Sequence, residues 1–190
     1  RDGLRHYLKK HSYANASTED LWKALEHISE KPVGKIMKNW TAKAGYPLLN
    51  LEEEKDSLKI TQKRFYSSIH SAKSSTDTSV WQIPLEVKFK DAKAQTFLMD
   101  KNIIKIPKLN DNWVKLNFQE NSFLRVSYPD KYLHLLKKAL EGNELATLDR
   151  LGLIRDVFDL AESGILSVVS GLELLEGFIN EEDYTVWVEI

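Results

Sequence analysis

Five histidines, a run of three glutamates and one Asp-Arg pair are the first residues of this chain to weigh for chemistry. His6, His11, His27, His70 and His134 are candidate metal ligands or general bases. A helical metal site needs two such side chains one turn apart. His6 and His11 are five positions apart, which turns them about 140° away from each other on a helix. Capping or surface roles are therefore expected of both. None of the histidines opens an H-E-x-x-H: His27 is followed by Ile28-Ser29-Glu30, with no His on the next turn. Glu52-Glu53-Glu54 could attract a cation, yet an acidic run at a strand end reads as a solvated edge. A Ser-His-Asp hydrolase would need a G-x-S-x-G elbow, and Glu162-Ser163-Gly164 lacks its leading Gly. Asp149 and Arg150 are expected to supply a structural ion pair or cap where a strand-rich region meets a helical one, with a substrate-channel role as the weaker alternative. Trp22, Trp40, Trp81, Trp113 and Trp187 are expected in core and interdomain packing rather than as ligand platforms. No catalytic or metal-binding residue is assigned, and the substrate-binding positions stay open.

Composition narrows the classes. With 190 residues the chain holds one large domain or two to three small ones. Hydrophobic residues at 42% are enough for a proper core. The 27 basic and 28 acidic residues leave a net charge of -1, which predicts no nucleic-acid or membrane-surface partner. Lys9-Lys10 and Lys137-Lys138 read as solvated helix faces. Without cysteine there is neither a disulfide framework nor a thiolate zinc site, and a cytoplasmic location fits. No apolar run approaches the roughly 20 residues that span a bilayer. The chain starts at Arg1 with no signal-like stretch, so upstream residues are expected to be missing.

Three blocks carry these residues. The first, residues 1–46, is read as helical. Leu4, Tyr7, Leu8 and His11 recur at helical spacing. Ser17 with Asp20 makes a capping box for a helix through Trp22 and Ile28. Pro32 suits the first turn of a third helix carrying Met37 and Trp40, and Gly45 sits where a terminator belongs. The second, residues 47–128, changes period. Trp81, Ile83, Leu85, Val87 and Phe89 alternate with polar residues or Pro84, a strand with one buried face. Further short runs begin near Leu58, Thr96, Ile103, Val114 and Phe123. About seven strands predict an antiparallel β-sandwich, with Ser67 to Ser79 as a mobile hairpin loop. The third, residues 129–190, is helical again. Tyr132, Leu133, Leu136 and Leu140 share a face, and a wider stripe runs from Leu145 through Leu148, Leu151, Ile154, Val157 and Phe158 to Ala161. Another helix is expected from Leu166 through Phe178, and Asn180 as the cap of one starting at Glu181. The apolar ending at Tyr184, Val186, Trp187 and Val188 predicts continuation into another helical pair.

Ordered motifs along the whole length resemble one family. They begin with Gly3-Leu-Arg-His-Tyr-Leu-Lys-Lys-His11, Tyr13-Ala-Asn-Ala16 and Thr18-Glu-Asp-Leu-Trp22. Lys31-Pro-Val33, Met37, Trp40-Thr41 and Gly45-Tyr46-Pro47 follow. In the middle stand Gln62-Lys63-Arg64-Phe65, Trp81-Gln-Ile-Pro84, Trp113-Val-Lys-Leu-Asn117 and the strand around Arg125. Late in the chain come Asp149-Arg150-Leu-Gly-Leu153, Asp156-Val-Phe-Asp-Leu-Ala161, Gly164-Ile-Leu-Ser167 and Asn180 through Trp187. This set resembles the gluzincin zinc aminopeptidases, the family of puromycin-sensitive aminopeptidase, aminopeptidase N and the archaeal tricorn-interacting aminopeptidases. Ser122 departs from the Gly that the family usually carries before the strand aromatic.

The resemblance implies an α+β multidomain arrangement. Residues 1–46 would end an α-helical catalytic domain, 47–128 would form the antiparallel β-sandwich, and 129–190 would open a superhelical C-terminal domain. It implies a parent that removes N-terminal residues from peptides, using zinc held by H-E-x-x-H and a further Glu. The zinc motif and the oxyanion Tyr would lie before Arg1, so Tyr7, Tyr13, Tyr46 and Tyr128 are not that Tyr. The segment alone is expected to be silent, binding no zinc itself. The sandwich would set the helical domain over the active site. Peptide substrates, the remaining domains of the same polypeptide and a larger proteolytic assembly are the implied partners. The alternative is a free-standing sandwich module that binds peptide or protein through an exposed strand edge, without enzymatic activity.

Overall fold

A computed structural model describes all 190 residues of the chain, which divides into two compact units, Arg1–Ala44 and Gly45–Ile190. The first unit is three helices: α1 (Asp2–Lys10), α2 (Thr18–Ser29) and α3 (Val33–Thr41). The capping box opens α2 as expected, since Ser17 N–H donates to Asp20 Oδ2 at 2.9 Å and Asp20 N–H to Ser17 Oγ at 3.4 Å. Gly3 lets α1 approach α2, because a Cβ there would come 2.6 Å from Leu25 Cδ2. Pro32 caps α3 rather than entering its first turn. Gly45 does not end that helix, which stops four residues earlier with Ala42 as its cap. Instead Gly45 has φ +81°, a turn into the first strand that an L side chain resists.

The second unit is a mixed α/β body. Its strands are β1 (Pro47–Glu53), β2 (Ser57–Arg64), β3 (Ile83–Phe89), β4 (Gln95–Met99), β5 (Ile103–Pro107), β6 (Val114–Leu116) and β7 (Arg125–Ser127). A short helix, α4 (Ile69–Ser74), occupies the Ser-rich stretch read as a hairpin loop. Low helix propensity hid it from the pattern; Ser74 Oγ bonds the His70 carbonyl at 3.0 Å, and Arg64 pairs with Asp77 at 2.9 Å.

The strands form two sheets, ordered β5-β2-β1-β7 and β4-β3-β6. Alternation works as expected in β3, where Ile83, Leu85, Val87 and Phe89 are buried and Pro84 is exposed. One pairing departs from an all-antiparallel arrangement: β7 runs parallel to β1, with Leu49 opposite Val126. The chain passes through the other sheet before returning to β1, and such a crossover permits a parallel pair. The buried amide of Gln62 on β2 holds the segment that leads into β3 and the turn between β4 and β5. Its Oε1 accepts Trp81 N–H at 2.8 Å, and its Nε2 donates to the carbonyls of Trp81 and Lys101 at 3.0 and 2.9 Å.

Four helices follow: α5 (Asp130–Glu141), α6 (Thr147–Glu162), α7 (Val168–Leu175) and α8 (Tyr184–Glu189). On α5 the apolar face is buried as read. The α6 stripe is different: Leu148 is 47% exposed, while Asp149 and Asp156 are buried among Leu151, Leu153 and Val157. Asp183, not Asn180, caps α8, accepting Thr185 N–H at 2.8 Å. An acidic cap favours the helix N-terminus. Asn180 Nδ2 instead donates to the Glu141 carbonyl at 3.0 Å.

Candidate functional site

The charged residues of the second unit converge where β6, β7 and the 3-10 turn Phe118–Glu120 meet α6. The turn is bent into an unusual shape, with positive φ at Asn117, Gln119 and Glu120. Side chains from both sides hold it. Asp149 of α6 accepts Gln119 N–H at 2.7 Å and its Nε2 at 3.3 Å. Glu120 lies against α6 at Gly152, where a Cβ would overlap the Glu120 carboxylate. Lys115, fully buried, donates to Glu120 Oε1 and to the Leu116 carbonyl, both at 2.8 Å. Asn117 Nδ2 reaches Glu120 Oε2 at 3.2 Å and the Ser122 carbonyl at 2.8 Å. Ser122, standing where the family pattern has Gly, keeps φ out of the left-handed region and donates from Oγ to the Pro84 carbonyl at 3.1 Å.

Beside this turn, Arg125 of β7 donates to Asp159 Oδ2, and its Nε lies 4.0 Å from Asp156 Oδ1. The guanidinium also sits over the Tyr46 ring, 5.6 Å from its centre. Tyr46 stacks on Phe65 and meets Phe123 edge-on, with ring centres 5.3 and 4.7 Å apart. Tyr128 is buried, its hydroxyl accepting Leu116 N–H at 2.9 Å.

Burial dominates the electrostatics. It pushes the Asp156 carboxyl well above the usual carboxylate range, against the pull of Lys115 and Arg125. Burial raises Asp149 as well, with Lys115 and the Gln119 N–H opposing. It drives Tyr128 well above the ordinary phenol value. For Arg125 burial works against the charge, but Asp159 and Asp156 outweigh it and the value rises. Within the cluster one buried side-chain atom, Asp156 Oδ1, has no hydrogen-bond partner.

Of the residues singled out from sequence, Tyr46, Arg125, Asp149 and Asp156 belong to this cluster. Pro47 begins β1 one residue from Tyr46, opposite Arg64. Arg150 does not join Asp149; it holds Glu181 through Nε and Nη2 at 2.7 and 2.9 Å and the Leu145 carbonyl at 2.8 Å. Trp113 Nε1 donates to Glu144 Oε2 at 2.6 Å, and Glu144 pairs with Lys90. Trp81 is fully buried, Trp22 and Trp40 are half-buried, and Trp187 is exposed with Nε1 on the Glu181 carbonyl at 3.0 Å. Sequence reasoning gave no individual role to Lys115, Gln119, Glu120, Asp159 or Gln62. The available signals were the quoted motifs: Lys115 stood inside Trp113-Val-Lys-Leu-Asn117, Gln62 opened Gln62-Lys63-Arg64-Phe65, and Asp159 lay inside Asp156-Val-Phe-Asp-Leu-Ala161.

The acidic run is a paired edge: Glu52 meets Lys59 at 2.8 Å, Glu53 meets Lys108 and Lys131, and Glu54 meets Lys105 at 2.7 Å. The His6 ring meets His27 at a tilt and the His11 ring meets Tyr7 at a tilt, so the histidine of α1 and the one that caps its C-terminus take different partners. No three His, Asp or Glu side chains are placed to hold a metal ion. The cluster at α6 is arranged to hold two elements together. Lys115 and Arg125 each donate to a carboxylate within the chain.

Two family models match this chain: the peptidase family M1 domain over residues 1–40 and the ERAP1-like C-terminal domain over residues 113–190. The chain belongs to the M1 family of aminopeptidases. It is 35% identical to tricorn protease-interacting factor F2 of Thermoplasma volcanium, over 100% of this chain and 23% of that protein. Aminopeptidase M1-A of Oryza sativa subsp. japonica is 33% identical over 98% of the chain and 22% of its own length. The alanine/arginine aminopeptidase of Saccharomyces cerevisiae is 33% identical over 99% and 22%. The chain thus spans between a fifth and a quarter of the curated relatives it matches.

Proposed function

We propose that this chain is a non-catalytic part of a zinc aminopeptidase that removes N-terminal residues from peptides. The observation that carries this reading is the match of the whole chain to aminopeptidases, 35% identical to the Thermoplasma volcanium protein and 33% to the yeast and rice enzymes. Residues 1–46 would close the catalytic domain, 47–128 would be its β-sandwich, and 129–190 would open the helical C-terminal domain. The two sheets of the second unit, β5-β2-β1-β7 and β4-β3-β6, support the sandwich. The polar cluster supports a stiff connection from sandwich to helices, the role expected of a spacer that holds a helical domain over an active site. Zinc would be bound by residues outside this chain. The name of the Thermoplasma volcanium relative suggests a larger proteolytic assembly as partner, and a cytoplasmic location suits that partner. The free-standing binding module is the weaker reading, because the relatives matched along the chain are peptidases.

The test compares the protein encoded by the complete source gene with this 190-residue chain. Release of N-terminal residues from unblocked peptides would be followed by mass spectrometry, with metal content measured in parallel. The complete protein should trim peptides, contain zinc and lose activity to a chelator, while the chain alone stays silent. Trimming by the chain alone, or a complete protein without aminopeptidase activity, would overturn the proposal.

A further inference from the structure

Arg125 stands between two carboxyl groups and engages one of them. Its Nε donates to Asp159, whose side chain is 36% exposed, while the 2%-exposed Asp156 leaves Oδ1 only 4.0 Å away and without a partner. A buried carboxyl with an orphaned oxygen favours the uncharged form, because a carboxylate needs donors on both oxygens. The Arg125 guanidinium, with Nε 4.0 Å from that oxygen, is a donor able to supply the missing bond.

The surroundings leave Arg125 as the mobile charge. Facing Asp156 are Lys115 of β6, Glu120 of the 3-10 turn, and Arg125 with the Val126 N–H of β7. Tyr46 and Tyr128 sense the same carboxyl, and Asp149 and Asp159 lie on its own helix. Glu189 of α8, paired with Arg155, acts on Arg125. From α7, Gly171 lies against Val157, while Glu173 lines the groove toward α5. Lys115 is held by Glu120 and the Leu116 carbonyl. Arg125 is the cation with a second carboxylate within reach.

We propose that Arg125 is a two-position latch between β7 and α6, docked on Asp159 while Asp156 is uncharged and drawn inward onto Asp156 Oδ1 once that carboxyl ionises. The proton of Asp156 leaves to solvent, the guanidinium keeps its charge and changes partner, and Asp159 turns to water. The Tyr46 ring beneath Arg125 reports the move. The latch makes the grip of the sheet on the helices depend on pH, and it stands whether or not the aminopeptidase reading does.

The Arg125 Nε–Hε and Tyr46 ring resonances of the full chain, followed by NMR from acid to mildly alkaline pH, test this. Both should shift together in one titration whose midpoint lies above the ordinary carboxylate range, and Asp156→Asn should abolish it. In Asp159→Asn the outer partner is gone, so the midpoint should move to lower pH. No Arg125 titration in the parent chain, or the same titration in Asp156→Asn, would overturn the latch. Should Asp156→Asn fail to fold, an unmoved midpoint in Asp159→Asn would overturn it equally.

Discussion

At the scale of single residues, burial and charge oppose each other most sharply at Asp156. The folded chain holds this proton to a higher pH than the unfolded chain, for which the ordinary value is 3.8. The stability it contributes is therefore complete below that value and is lost as pH rises toward the folded-state value. Asp77 has the opposite sign: hydrogen bonds from Ser79 and Arg64 lower it to about 2, so its contribution is present above 3.8 and lost as pH falls through about 2. The difference in urea midpoint between the parent chain and Asp156→Asn isolates the buried group. Asparagine should gain on aspartate as pH rises from acid to neutral; a constant difference across that range would remove the assignment. Lys115→Met breaks a buried pair from the cationic side and should cost about 3 kcal/mol, since Glu120 loses its buried partner. Adding Glu120→Gln should recover part of that loss in the same denaturation measurement. None of this was legible from patterning. Lys115 follows Val114 in a short strand, where alternation would turn the lysine outward, yet all three residues of β6 are buried. For Asp149 a structural ion pair or cap was expected, but not its partner, because periodicity ranks faces and cannot show a group brought from a distant strand or turn.

Among elements, local signals gave the better guide. Ser17 and Asp20 announced the start of α2, and the alternation of Ile83 to Phe89 announced β3. Ser17→Ala should cost about 1 kcal/mol and reduce helix content by circular dichroism, with no effect expected on the second unit's sheets. What escaped reading was pairing over long separations. The parallel partnership of β1 and β7 joins Leu48 to Arg125, and no local pattern records it. The close seat of the 3-10 turn on α6 is of the same kind, although its mark is present as Gly152 inside a helix. Gly152→Ala should raise helix propensity yet destabilise the protein by about 1–3 kcal/mol, because the new methyl meets the Glu120 carboxylate. A double-mutant cycle with Glu120→Ala should return most of that loss. If Gly152→Ala stabilised the chain, the close seat would be wrong.

For the whole molecule, the division into units carries a difference in burial. Through Ala44 the buried apolar side chains reduce to Ala24, and Leu4 and Leu8 are 50% and 66% exposed. From Leu48 onward the core is nearly continuous, with Leu48, Leu49, Ile60, Trp81, Ile83 and Leu85 fully buried. Membership of the M1 family was legible because ordered motifs survive in the apolar and aromatic positions of both units, whereas the resistance of each unit to opening depends on packed area. A helical unit of this size with so small a core gains little from burial against the entropy of ordering it. Native-state hydrogen exchange of the chain should therefore find the amides of α2 and α3 exchanging roughly two orders of magnitude faster than those of β1, β3 and α6. Equal protection across both units would mean that Arg1–Ala44 is stabilised by something other than its own core. Lowering protection in α2 through Ser17→Ala, which removes the hydroxyl that bonds Asp20, while β3 stayed unchanged would support independent opening of the two units.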